Sequence, residues 1–175
     1  SITHLGHGEI VSFDPDVFIA ASGYESRSVT IPGLVEELGC EKIVLGFNSY
    51  TKEISRPDND RYFNEKGYTY HTLNDYEAPD FEQIIGKKTT SELRILFDIS
   101  VMTRTWYYHF LKYLHHTETY NTITARMIYC PALYSDPLKP GKQVEIETLS
   151  ILSDGYRSRK EAAKTALVLG LGNEP

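Results

Sequence analysis

Cysteine is scarce in this 175-residue sequence, which also lacks long apolar runs and an excess of basic residues. Its two cysteines, Cys40 and Cys130, are too few for a disulfide scaffold or a four-ligand zinc site, so we expect both to be reduced residues of the core. This sparing use of cysteine favours a reducing, cytoplasmic location. No apolar run approaches the roughly 18 residues that a membrane span needs, which predicts a protein without membrane contacts.

The formal net charge of −6 argues against one further class, the proteins that bind nucleic-acid backbones broadly through a basic face. A small anionic ligand held by one or two local cations is still compatible with this charge. With 41% hydrophobic and 24% charged residues, the composition is typical of a globular domain and not of a disordered chain. The length suits one core of ordinary size.

Short apolar runs alternate with helical patterns along most of the chain. Strands are predicted at residues 16–21, 42–47, 68–73, 93–99, 123–130 and 144–151, and helices at residues 25–38, 60–66, 81–85 and 103–116. The helix within 25–38 should start or be kinked at Pro32-Gly33. This alternation indicates a mostly parallel sheet with helices on both faces, so the predicted fold class is a Rossmann-like α/β fold. The last two strands have no helix between them and should form a C-terminal antiparallel hairpin.

The domain assignment follows from the same pattern. We assign residues 1–160 to one Rossmann-like ligand-binding domain. The apolar run at residues 167–171 echoes the first strand, since a glycine and a glutamate follow both. Residues 161–175 are therefore either an extra strand or the start of a second α/β unit that is cut short, and an effector domain would then lie beyond the C-terminus.

The first predicted strand ends in the segment Ser22-Gly23-Tyr24-Glu25-Ser26-Arg27-Ser28. Its single glycine allows a sharp turn and a close approach of a ligand, but a dinucleotide fingerprint needs three glycines. Ser22, Arg27 and the backbone amides are candidates for contacts with a phosphate or a ribose. Alternatively, Glu25 is a helix-capping carboxylate and Arg27 a solvated base.

The fourth predicted strand ends in the segment 98–104, which contains Asp98, Ser100, Thr103 and Arg104. An acid on an apolar strand is costly unless it is paired or faces a ligand crevice. Ser100 and Thr103 are candidate caps of the next helix, and Arg104 is placed to meet a phosphate. Alternatively, Asp98 and Arg104 form a structural ion pair. The loops at 22–28 and 98–104 should face one crevice, because they follow strands that are neighbours in the usual topology.

The spacing Asp98-x-Ser100-x-x-x-Arg104 resembles the ligand-binding motif of the CRISPR-associated Rossmann fold (CARF) family. The resemblance implies a sensor of cyclic oligoadenylate or a related nucleotide second messenger, in antiviral defence. It also implies a homodimer that binds the ligand across its twofold axis and regulates an effector. By position, Ser100 and Arg104 would contact the ligand, with Gly23 and Tyr24 opposite. Glu25 departs from the family pattern, because it places an acid beside the anion site.

Two other functions are open at this stage. In a nucleotide hydrolase or base–sugar bond-cleaving enzyme, Glu25 and Asp98 would be paired catalytic carboxylates, and Arg27 and Arg104 would hold phosphate. In a protein interaction module, some of the thirteen tyrosines would line an interface. We expect no cofactor and no metal, because His109 and its neighbours lack the carboxylate or cysteine that would complete a ligand set.

Overall fold

A computed structural model describes residues 7–132, which lie within one compact unit, Ser1–Ala132. The predicted strand at 144–151, the hairpin that it would complete and the predicted boundary at residue 160 lie outside the described residues.

The centre of the domain is a five-stranded sheet in which every pairing is parallel and the strand order is β3-β2-β1-β4-β5. Its strands are β1 (Val17–Ser22), β2 (Glu41–Phe47), β3 (Thr69–Leu73), β4 (Glu92–Asp98) and β5 (Thr122–Ile128). This arrangement confirms the predicted Rossmann-like fold class.

Burial explains why the central strands read as unbroken apolar runs. All six residues of β1 are buried, because the strand has neighbours on both sides and helices over both faces. The outer strand β3 is only partly buried, and its sequence is correspondingly less apolar. Its predicted place near an edge is thus confirmed.

Before β1 and between the strands, the described residues form five α-helices and one 3-10 helix. They are α1 (His7–Val11), the 3-10 helix (Ser26–Val29), α2 (Thr30–Leu34), α3 (Arg56–Glu65), α4 (Phe81–Ile85) and α5 (Arg104–His116). The sequence patterns did not predict α1. They also predicted one helix over 25–38, where the structure has two short helices, the second ending at Leu34. Helix α3 begins four residues earlier than predicted, with Pro57 in its first turn, where a proline is tolerated.

Each face of the sheet has its own hydrophobic core. On one face, Phe97 of β4 stacks on Phe110 of α5 with ring centroids 3.8 Å apart. On the other face, α1, α2 and α3 contribute Ile10, Ile31 and Phe63. Burying one such side chain contributes about 1.5–3 kcal/mol, so the two cores together stabilise the packing of the helices against the sheet. Helices on both faces were predicted, and the structure confirms them.

Three compositional expectations can be compared with the described residues. Cys40 and Cys130 are both free and half-buried, so they lie at the border of the core and not in its centre. No helix among the described residues is long and apolar enough to cross a membrane. Within residues 7–132, no group of three or more His, Cys, Asp or Glu side chains is arranged to hold a metal ion.

Candidate functional site

The candidate site lies where the strand order of the sheet reverses direction. Strand β1 pairs with β2 on one side and with β4 on the other. The chain leaves β1 toward α2 on one face and leaves β4 toward α5 on the opposite face. The two loops diverge and leave a crevice at the carboxyl ends of the strands, the usual ligand position in open α/β sheets. The loops after β1 and β4 are therefore neighbours, as predicted.

A pocket of about 300 Å³ opens at this crevice. Loops that follow four of the five strands contribute its walls, together with the first residue of α3. The lining residues are Gly23, Tyr24, Glu25, Arg27, Phe47, Ser49, Tyr50, Arg56, Asp75, Ser100, Val101, Met102 and Thr103.

Hydrogen bonds fix the loop after β1 in place. The Ser28 hydroxyl donates to the Ala21 carbonyl at 2.8 Å and accepts from the Gly23 amide at 2.9 Å. From α3, the Asn59 side-chain amide donates to the carbonyls of Gly23 and Glu25, each at 2.9 Å. Because the 3-10 helix and α3 both hold the loop in place, this wall of the pocket is formed before any ligand binds.

Glu25 and Arg27 form a bidentate ion pair on this wall. The Arg27 Nε donates to Glu25 Oε2 at 2.8 Å, and its Nη2 donates to Oε1 at 3.1 Å. Its Nη1 donates to the Cys130 carbonyl at 2.7 Å, and the guanidinium lies 5.4 Å from the centre of the Tyr129 ring. Glu25 makes no capping bond to the 3-10 helix, so the predicted alternative of a capping acid and a solvated base is wrong. The pair is electrically neutral as a unit.

The loop after β4 turns on Asp98 and Ser100. Asp98 Oδ1 accepts hydrogen bonds from the Ser100 amide, at 2.9 Å, and from the Ser100 hydroxyl. Burial raises the pKa of Asp98 to about 6, although the hydrogen bonds from Ser100 act in the opposite direction. The Ser100 hydroxyl also accepts from the Cys130 amide at 2.8 Å. Ser100 therefore links Asp98 to the backbone that follows β5 through two hydrogen bonds. It does not cap α5, so that prediction is wrong. Thr103 is the cap, accepting from the Trp106 amide at 3.3 Å.

Arg104 and Asp98 do not form the ion pair considered above. Asp98 is 2% exposed and bonds to Ser100, whereas Arg104 is exposed at the start of α5 and pairs with no acid among residues 7–132. The predicted alternative of a structural pair is therefore wrong. Neither residue lines the pocket.

A second network holds the floor of the site. Asp60 Oδ1 accepts hydrogen bonds from the Ser22 hydroxyl at 2.6 Å, from Arg56 Nε at 2.7 Å and from the Tyr70 hydroxyl at 2.6 Å. Arg56 also donates to the Phe47 carbonyl at 2.8 Å. Ser22 is fully buried beneath the pocket and is committed to α3, so it does not face the cavity.

The pocket brings together most of the residues predicted to form a site. Those that line it are Gly23, Tyr24, Glu25, Arg27, Ser100 and Thr103, and those that do not are Ser22, Asp98 and Arg104. Sequence reasoning located the two loops correctly but not the orientation of each side chain.

Sequence reasoning missed the residues that follow β2 and β3. The Ser49 hydroxyl lies 2.7 and 2.8 Å from the two carboxylate oxygens of Asp75, and both residues line the pocket. Each lies two residues beyond the end of its strand. The rule that ligands bind at the carboxyl ends of parallel strands would have indicated both, had it been applied to every strand.

The chain matches no protein-family model, no curated protein and no solved structure. The class of the protein therefore rests on its own strand order, which defines a Rossmann-like α/β domain.

Proposed function

We propose that this domain is a sensor that binds a nucleotide in the pocket at the carboxyl end of its sheet. The observation that carries the proposal is the position of the pocket, at the reversal of strand order between β1 and β4, with walls already fixed by hydrogen bonds. The resemblance to the CARF family adds the ligand class, a nucleotide second messenger in antiviral defence.

The size and the aromatic rim of the pocket suit a nucleotide. A volume of about 300 Å³ lies at the lower end of the range for small-molecule sites and matches one nucleotide unit. Tyr24 and Tyr50 are 49% and 66% exposed at the rim, where a base can stack on their rings. A cyclic oligonucleotide would extend beyond one pocket, so we propose that two copies of the domain share it in a homodimer.

Arg27 is the cation best placed for a phosphate. Among the described residues, one other arginine lines the pocket, Arg56, and Asp60 already holds it. Three of the nitrogens of Arg27 already donate to Glu25 or Cys130, and the side chain of Tyr129 lies beside the same guanidinium. A phosphate would replace part of these contacts with charge-assisted hydrogen bonds of its own.

A link from the pocket to the end of β5 favours a sensor. The peptide of Cys130 is held from two sides, with its carbonyl accepting from Arg27 and its amide donating to Ser100. Both side chains line the pocket. A ligand that draws Arg27 away would loosen this peptide, which gives the pocket a physical connection to the end of β5.

The enzyme alternative has less support from the geometry. Its two carboxylates do not meet in the cavity, because Asp98 lies outside the lining and bonds to Ser100, while Glu25 is engaged by Arg27. General acid–base catalysis requires both groups within hydrogen-bond reach of the substrate.

Titration with a panel of mononucleotides and cyclic oligonucleotides tests the proposal. Trp106, the only tryptophan of the chain, stacks on the pocket residue Phe47 with ring centroids 4.2 Å apart, so its fluorescence should report binding. Calorimetry would give the affinity, and chromatography of the mixture would show whether the ligand stays intact.

Arg27→Ala should weaken nucleotide binding by about 1.5–3 kcal/mol, the value of a hydrogen bond to a charged group. Arg61→Ala is the matched control, because Arg61 pairs with Asp58 on the exposed side of α3 and does not line the pocket. Failure of every nucleotide to bind would refute the proposed function, and cleavage of the bound nucleotide would favour the enzyme.

A further inference from the structure

Asp75 carries the one charge of the pocket lining that has no opposite charge beside it among the described residues. Glu25 is paired with Arg27 at 2.8 Å, and Arg56 is paired with Asp60 at 2.7 Å. The partner of Asp75 is a neutral group, the Ser49 hydroxyl. The region around Asp75 is therefore the negative end of the pocket.

A carboxylate in this position needs donors that Ser49 cannot supply alone. One hydroxyl offers a single hydrogen, whereas an ionised carboxylate accepts about four hydrogen bonds. Asp75 is half-buried and lines the cavity, so a bound ligand would displace the water that supplies the others. A ligand with no donor here would leave the charge poorly solvated, and a phosphate here would be repelled. A group that fits has several hydrogen-bond donors and no negative charge, as the hydroxyl groups of a sugar do.

The sheet order separates this end of the pocket from the cation. Asp75 follows β3, whereas Ser100 follows β4, three strand spacings away in the order β3-β2-β1-β4. At about 4.8 Å per spacing, the two loops lie roughly 14 Å apart. Arg27 belongs to the far side, because it bonds to Cys130 beyond the end of β5. The two ends of the pocket therefore contact different parts of a bound ligand, and only the end at Arg27 suits its phosphate.

We propose that Asp75 recognises the ribose of the ligand by accepting hydrogen bonds from its hydroxyl groups, with Ser49 holding the carboxylate in position. The pocket then selects ribonucleotides over deoxyribonucleotides. This inference rests on the proposed function, because it assigns a part of the same ligand to the opposite end of the same site.

The test compares the ribonucleotides of the panel with their 2′-deoxy counterparts by calorimetry. The wild-type domain should bind the ribo form about tenfold more tightly, the equivalent of one hydrogen bond to a charged group. Asp75→Ala should remove this preference, leaving the two forms within about threefold of each other. Glu77→Ala is the matched control, because Glu77 lies two residues away, bonds to Asn74 and does not line the pocket.

Thermal melting of each variant, together with the milder change Asp75→Asn, separates a lost contact from a lost fold. Equal binding of ribo and deoxy forms by the wild-type domain would overturn the inference and leave the proposed function standing. So would a ribose preference that survives in a folded Asp75→Ala variant. If no nucleotide of either kind binds, the proposed function falls, and the inference falls with it.

Discussion

Asp98 should make the folded domain lose stability as the pH rises. Its side chain is almost fully buried, and burial raises its pKa from the ordinary 3.8 to about 6. Between these two values the folded state keeps the proton and the unfolded state releases it. The folded state therefore binds more protons, and stability falls with rising pH. The contribution of Asp98 to the free energy of unfolding is fully present below about pH 4 and is lost by about pH 6. At 1.36 kcal/mol per pKa unit, its size is about 3 kcal/mol.

Asp98→Asn isolates this contribution. The variant keeps an oxygen that can accept from the Ser100 amide and hydroxyl, but it cannot ionise. Urea denaturation of both proteins at several pH values between 4 and 7 gives the difference in unfolding free energy. We expect the difference to shift in favour of the variant by up to about 3 kcal/mol across this range. Asp58→Asn, at a side chain that is 74% exposed, controls for the loss of one negative charge. A difference that stays constant with pH, or that shifts toward the wild type, would refute the reasoning.

Two other substitutions test the floor and the wall of the pocket. Gly46→Ala should destabilise the domain by about 1–3 kcal/mol in urea denaturation, because a Cβ there would overlap the Tyr70 hydroxyl. Gly39→Ala, where a Cβ meets nothing within 4 Å, should be close to neutral, and equal losses at both positions would contradict the packing argument. Glu25→Gln should leave nucleotide binding equal or up to about tenfold tighter in calorimetry, because it frees the charge of Arg27. Markedly weaker binding would instead indicate that Glu25 contacts the ligand.

The parallel sheet was predictable because its strands carry a strong signal. In β1, β2 and β4, burial on both faces produces short continuous apolar runs, which are typical of the buried strands of a parallel sheet. The observed strand β1, Val17–Ser22, differs from the predicted 16–21 by a single residue at each end. Helix α5 was predictable for a related reason, since its apolar stripe lies on the sheet.

The predicted helix over 25–38 was wrong because periodicity reports burial and not backbone conformation. Ile31 and Val35 are buried, as a helical face would require. The backbone conformation, however, also depends on side-chain hydrogen bonds to the loop before the helix. Ser28 is bonded to Ala21 and Gly23, and this holds the first turn as a 3-10 helix. A periodic pattern contains no information about such bonds.

The site could be located from the sequence, but its charges could not be assigned. Arg27 and Arg104 are equivalent in the sequence, since each follows a strand at the carboxyl end of the sheet. Arg27 turns out to be bonded to Cys130, more than a hundred residues away, and Arg104 to be exposed. Whether a cation is paired depends on neighbours brought together by the fold. The contact between Ser49 and Asp75 was not predicted for the same reason, because the fold brings these two residues together.

The pairing of Arg27 also decides how the pocket can bind an anion. Since Glu25 already neutralises the guanidinium, a phosphate gains little from net charge and must form better hydrogen bonds than those it displaces. Affinity would then depend on stacking of the base at the rim and on ligand donors that match the Asp75 carboxylate at the opposite end. Such contacts favour selectivity between ligands more than general attraction of anions. The carbonyl of Cys130 competes for the same guanidinium. A ligand that binds through Arg27 is for that reason coupled to the end of β5, and the strength of the coupling is set by how much of that bond the ligand replaces.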